Sequence, residues 1–130
     1  KRQVCDDVWL GRIPLPAQRA AFAVVVDVSA ELSLRHTHAN DRIIPMLDLV
    51  APAPASLRAA AQAIEAARAH GSVLVCCALG YSRSAASVVT WLVLSQRAAS
   101  VSEAMAWVRA ARPSIVLGPH HQAPIAQVPA

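Results

Sequence analysis

Val73-Leu-Val-Cys-Cys-Ala-Leu-Gly-Tyr-Ser-Arg-Ser84 is the stretch on which the reading of this 130-residue chain turns. An apolar β-type run ends in a thiol, a short loop holding Gly80 follows, and Arg83-Ser84 opens a long helical pattern. Strand, cysteine, tight loop, arginine and helix in that order build an anion pocket with a nucleophile at its base. Backbone N–H groups of the loop and first helical turn converge on phosphate-like oxygens. The same positive potential favours the thiolate, the nucleophilic form of cysteine. Arg83 adds a planar fork suited to bidentate phosphate binding. Cys77 is thus the candidate nucleophile, whereas Cys76 reads as a buried core thiol at a strand end. The chain has eleven arginines, so the Cys–Arg spacing alone carries little; Gly80, Ser84 and the flanking elements give it weight.

Working outward, Val8–Leu10 and Ala23–Val28 read as strands, the second a continuous apolar run typical of a buried sheet. Pro14-Leu-Pro16 marks a turn before a short helix. Residues 31–41 are polar and read as a surface loop, and Arg42–Pro45 as a short strand leading to Asp48. Ser56 is a plausible N-cap for a helix to about His70, ended by Gly71. The helix behind the loop spans Arg83 to Arg97 and is apolar on most faces, as a buried helix should be. Ser102 is read as the cap of a further helix stopped by Pro113, with a last one from about Pro119. Strands alternating with helices predict a single α/β domain whose central sheet is at least partly parallel and flanked by helices. The Cys77 loop then lies beyond the carboxyl end of its strand, where such folds bind ligands.

Composition narrows the class. Hydrophobic residues make up 55% and mean hydropathy is +0.40, which excludes a disordered chain; 130 residues suffice for one buried core. The net charge of +4 suits an anionic substrate. The arginines are scattered and have no aromatic stacking platform, which argues against nucleic acid as partner. No apolar run has the length of a membrane span. Three cysteines including an adjacent pair do not form a disulfide framework, so a reducing, cytoplasmic setting is expected. No secretory signal is recognisable, and the start at Lys1 is read as that of an excised fragment or a processed chain, with a domain cut from a larger, membrane-attached protein left open. Oligomeric state is left open too.

The run Cys77-Ala-Leu-Gly-Tyr-Ser-Arg-Ser84 resembles the Cys-x5-Arg-Ser/Thr loop of the protein tyrosine phosphatases, and within them the dual-specificity phosphatases, especially compact bacterial members. Val8-Trp-Leu-Gly-Arg12 resembles the opening strand of that family and Val24–Ser29 the second. Ile44-Pro-Met-Leu-Asp48 resembles the general-acid loop, and Val108–Pro113 the late helix with its Arg-Pro ending. The resemblance implies phosphate-monoester hydrolysis through a phosphocysteine. Cys77 would be nucleophile and Asp48 the acid, then base, with Asp41 as runner-up. Ser84 would stabilise the leaving thiolate, and Ala78, Leu79, Gly80, Tyr81, Ser82 and Arg83 would hold the phosphoryl group. Expected substrates are phosphotyrosine and phosphoserine or phosphothreonine in proteins or peptides. Alternatives are a phosphoinositide or phospholipid phosphatase, disfavoured by the lack of a loop lysine, and a catalytically weakened phosphate-binding module. No cofactor or metal is expected: His120-His121 lacks further ligands at metal spacing, and His36 and His38 read as solvated loop residues. Arg112 reads as a structural ion-pair residue.

One position departs from the family pattern. Where relatives carry histidine before the nucleophile, this chain has Cys76, which brings no positive charge and offers a neighbouring thiol as an oxidation partner.

Overall fold

The structure is a computed structural model and describes residues 2–29, 39–46, 51–78, 82–113, 115 and 117–128. The strands are β1 (Arg2–Cys5), β2 (Val8–Arg12), β3 (Val24–Ser29), β4 (Arg42–Met46) and β5 (Val73–Cys77). The helices are α1 (Pro16–Arg19), α2 (Pro54–Ala67), α3 (Ser82–Leu94), α4 (Val101–Ala111) and α5 (Pro119–Gln127). The strands form one sheet in the order β1-β2-β5-β3-β4. β2, β5, β3 and β4 run parallel, and β1 closes the edge antiparallel to β2. The α/β expectation with a mixed, mostly parallel sheet holds.

β5 occupies the middle because it is apolar on both faces. Val73, Val75 and Cys77 enter the main core beneath the helices, while Leu74 and Cys76 join Phe22 and Val25 on the other face. Period-two alternation makes this split unavoidable. On the helical side α3 is central: Arg83 through Leu92 are all buried. The small residues Ala85, Ala86 and Ser87 let it approach its neighbours closely. Two of its buried hydroxyls are satisfied four residues back, Ser87 on the Arg83 carbonyl (2.8 Å) and Thr90 on that of Ala86 (2.8 Å).

Several boundaries differ from the sequence reading. The segment Val8–Arg12 is the second strand, not the opening one; β1 has no apolar run to announce it, because it is a half-exposed edge. α2 starts at Pro54 with Ala53 as N-cap, so Ser56 lies inside the helix. Proline at the first helical position brings its fixed φ and lacks only a donor that would be orphaned anyway. The helix proper stops at Ala67, and a 3-10 turn covers Arg68–His70. Gly71 then turns the chain at φ 130°, its Cα hydrogen facing Ala23 so closely that an added Cβ would sit 3.1 Å from that methyl. α4 is capped by Ser100, not Ser102. The Ser100 hydroxyl accepts the Glu103 amide at 3.1 Å, and the Glu103 carboxylate accepts the Ala99 amide at 3.3 Å. α3 begins at Ser82 and ends at Leu94, three residues before Arg97, where Gln96 takes a left-handed conformation at φ 62°. Residues 31–38 of the expected polar loop, with His36 and His38, lie outside the described residues.

Three arginine-centred contacts tie the layers together. Arg19 and Asp41 pair at 2.6 Å with both side chains nearly shut off from solvent, and Asp41 also accepts the Val25 amide at 2.9 Å. Arg97 and Arg68 lie over the Trp91 ring at 4.7 and 5.7 Å. Asp6 and Glu65 hold those two guanidiniums, and Trp91 donates to Glu65 at 3.0 Å. Burial works against the Glu65 carboxylate, but the Trp91 indole N–H and the guanidiniums of Arg68 and Arg97 more than offset it and hold its pKa below the usual value. No helix among the described residues is long and apolar enough to cross a membrane.

Candidate active site

The candidate nucleophile sits where the sheet is best supported. Cys77 ends the central strand, flanked by Arg12 of β2 in register, with β3 on the other side. The chain leaves the strand through Ala78 and enters α3 at Ser82. Leu79, Gly80 and Tyr81 lie outside the described residues, as does Asp48. Ser84, in the first turn of α3, brings its Oγ to 3.3 Å from the Cys77 Sγ, and both residues have no solvent exposure. A cysteine at a strand end and a hydroxyl at a helix start meet because the intervening loop is short enough to fold the helix back onto the strand.

Arg83, only 3% exposed, crosses to β4 and donates from Nη1 to the Met46 carbonyl at 2.9 Å. Met46 ends β4 and stands two residues before Asp48. Ser87 adds a longer contact to the Met46 sulfur at 3.9 Å. The guanidinium beside the loop is therefore also a strut that fixes where the chain leaves β4. Sequence reading missed Met46, since a backbone carbonyl acceptor has no side-chain signature.

Asp41, the runner-up acid, belongs elsewhere. It precedes β4, at the amino end of a parallel strand, whereas Cys77 ends β5 at the carboxyl end of the sheet. Its carboxylate is taken up by Arg19 and the Val25 amide.

Cys76 packs on the other face of the sheet. Strand alternation turns it to the face opposite Cys77, so the two thiols do not confront each other, and the expected oxidation partnership has no geometric basis. Cys5, in the edge strand β1, is the third free cysteine. Cys76 is the register partner of Asp27, a fully buried residue whose carboxylate accepts the Ser29 amide (2.8 Å) and hydroxyl (2.6 Å). Burial, followed by the charge of Asp27, pushes the Cys76 thiol far above its ordinary value. It stays neutral, and the position before the nucleophile supplies no charge. His121 is buried within α5, and no group of three metal-ligating side chains occurs among the described residues.

The sequence model of the dual specificity phosphatase catalytic domain matches residues 11–129. The chain belongs to the dual specificity phosphatase family. Human DUSP28 is 26% identical over 98% of this chain and 94% of its own, with a TM-score of 0.81. A mouse putative dual specificity phosphatase, solved with zinc tungstate, is 26% identical over 98% of this chain and 84% of its own, at TM-score 0.77. PTPMT1, solved in complex with PI(5)P, shares the fold at TM-score 0.79 and 20% identity, over 97% of this chain and 92% of its own. No curated protein sequence matches the chain significantly. The chain is thus a cysteine phosphatase of the protein-tyrosine and dual-specificity class, a hydrolase of phosphorylated substrates.

Proposed function

We propose that this dual specificity phosphatase removes phosphate from phosphotyrosine and phosphoserine or phosphothreonine in proteins, with Cys77 as the nucleophile. The observation that carries the reading is the buried Cys77–Ser84 contact at the end of the central strand, with Arg83 packed beside it. In the first step the Cys77 sulfur attacks phosphorus. The S–P bond forms as the P–O bond to the substrate breaks, and Asp48 gives its proton to the leaving oxygen. In the second step water attacks phosphorus, Asp48 takes the water proton, and the S–P bond breaks to return the thiolate. Arg83 and the amides of residues 78 to 83 hold the phosphoryl oxygens as charge redistributes. Ser84 donates to the sulfur as it leaves. Support for Asp48 comes from the anchoring of Met46 on Arg83, which ties the start of its segment to the phosphate-binding arginine.

The test is hydrolysis of a small aryl phosphate and of a phosphopeptide panel by wild type, Cys77→Ser and Asp48→Ala. Turnover that survives Cys77→Ser sinks the mechanism. An acidic limb of the pH–rate profile left unchanged by Asp48→Ala removes that residue as the acid. Faster turnover of inositol phospholipids than of every phosphopeptide overturns the substrate assignment.

A further inference from the structure

The exposed carboxylates among the described residues gather at one end of the sheet axis. The exposed carboxylates Asp6 and Asp7 occupy the turn before β2, and the Asp7 carbonyl accepts the Val73 amide at 2.7 Å, so this turn lies at the amino end of the parallel strands. Glu65 and Glu103 lie at that end too: Arg68 and Arg97 link Glu65 to Asp6, and Glu103 opens α4 just beyond Arg97. The two remaining described carboxylates, Asp27 and Asp41, are buried. Two arginines stand toward the carboxyl end, near Cys77. Arg12 ends β2 as the register partner of Cys77, and Arg2 in β1 is paired with Leu10. Both are exposed.

Register also fixes the face. Val8 and Leu10 point into the same core as Val73, Val75 and Cys77, so alternation puts Arg12 on the Cys77 side of the sheet, and Arg2 follows its partner Leu10. Adjacent strands are roughly 5 Å apart, which is within reach of an arginine side chain lying beside the phosphate loop. Two residues along the strand and one strand over, Arg2 stands roughly 8 Å from Arg12, close to the spacing of alternate residues in an extended peptide, about 7 Å. A compact polyphosphorylated head group calls for cations around the scissile phosphate. Arg12 and Arg2 form a row to one side, which suits an extended chain bearing its negative charges in sequence.

We propose that Arg12, with Arg2 beyond it, reads the flank of the substrate and selects phosphopeptides that carry a carboxylate side chain within two residues of the phosphorylated one. This rests on the phosphopeptide phosphatase reading above. Arg12 is a specificity residue outside the bond-breaking apparatus, and its effect falls on the choice between substrates.

Two phosphotyrosine peptides of equal length, one with Asp and one with Asn on both sides of the phosphotyrosine, provide the test, with a small aryl phosphate as a third substrate. In wild type the Asp peptide has the higher kcat/KM, and the advantage shrinks as salt rises. Arg12→Gln lowers the Asp/Asn ratio by about threefold to tenfold, through KM, and Arg12→Lys restores much of it. An unchanged ratio in Arg12→Gln, or no preference in wild type, overturns the assignment. A preference for an inositol bisphosphate over both peptides that Arg12→Gln abolishes also overturns it. Failure of the underlying reading shows separately, as loss of Cys77-dependent aryl phosphate turnover. Even then, binding of the two peptides to Cys77→Ser, read by fluorescence anisotropy, decides whether Arg12 discriminates between them.

Discussion

Ser84→Ala isolates the contact on which the mechanism leans. Cys77 and Ser84 share no solvent, and the 3.3 Å sulfur–oxygen separation is a hydrogen bond of ordinary length for sulfur. Once the sulfur carries charge, only the hydroxyl can donate. A hydrogen bond to a charged group is worth about 1.5–3 kcal/mol. The charge on sulfur grows as the S–P bond breaks, so the loss falls on hydrolysis of the phosphocysteine. A barrier raised by that amount slows the step by about 10- to 150-fold. Formation of the phosphocysteine, in which sulfur charge is consumed, loses less. Stopped-flow with para-nitrophenyl phosphate should therefore show a burst of nitrophenolate close to one equivalent of enzyme, followed by slow turnover. Ser84→Thr, which keeps the hydroxyl, should show no larger burst than wild type. A kcat within twofold of wild type in Ser84→Ala refutes the reasoning, and so does a large fall in kcat without a burst.

Asp41→Ala removes the buried partner of Arg19 and should cost about 3–5 kcal/mol in urea unfolding, because a guanidinium is left uncompensated. The acidic limb of its pH–rate profile should match wild type, since Asp41 lies at the other end of the sheet. The raised Cys76 thiol predicts an alkaline weakness: its contribution is whole below the free-thiol value of 9.0 and is lost as pH rises beyond it, because the unfolded thiol ionises and the buried one does not. Unfolding at pH 9 to 11 should lose less stability in Cys76→Ala than in wild type, by up to about 1.4 kcal/mol per pH unit. On the acid side, the lowered Glu65 carboxylate contributes above the ordinary value of 4.5 and loses that contribution as pH falls. Glu65→Gln should flatten that slope only slightly, because the group is about half exposed and screened. Cys76→His puts an imidazole into a closed site beside Asp27, at an overpacking cost of about 1–3 kcal/mol. If the missing positive charge limits thiolate formation, its kcat at pH 5.5 relative to pH 7.5 should exceed that of wild type. An equal or lower ratio shows that the charge does not matter here.

The class of fold was legible in the chain itself, as was the segment that carries the candidate site. The runs Val24–Val28, apolar but for Asp27, and Val73–Cys77 mark strands buried on both sides, and the Cys77–Ser84 segment joins the second run to an apolar helix. These signals are local, and local pattern survives folding. Caps were less readable, because Ser56 and Ser102 have the chemistry of a cap but Pro54 and Ser100 stand where the chain turns into the helix. Edge strand β1 was invisible, since its pairing comes from β2 and not from its own residues.

Which polar groups meet was set by the packing of the whole chain. Asp41 and Arg19 are 22 positions apart in the chain, and Arg83 and Met46 are 37 apart. Parallel strand order sends Asp41 to one end of the sheet and Cys77 to the other, and alternation turns Cys76 from its neighbour toward Asp27. The spacing of residues along a chain carries no record of strand order. That record is written by burial of the whole core.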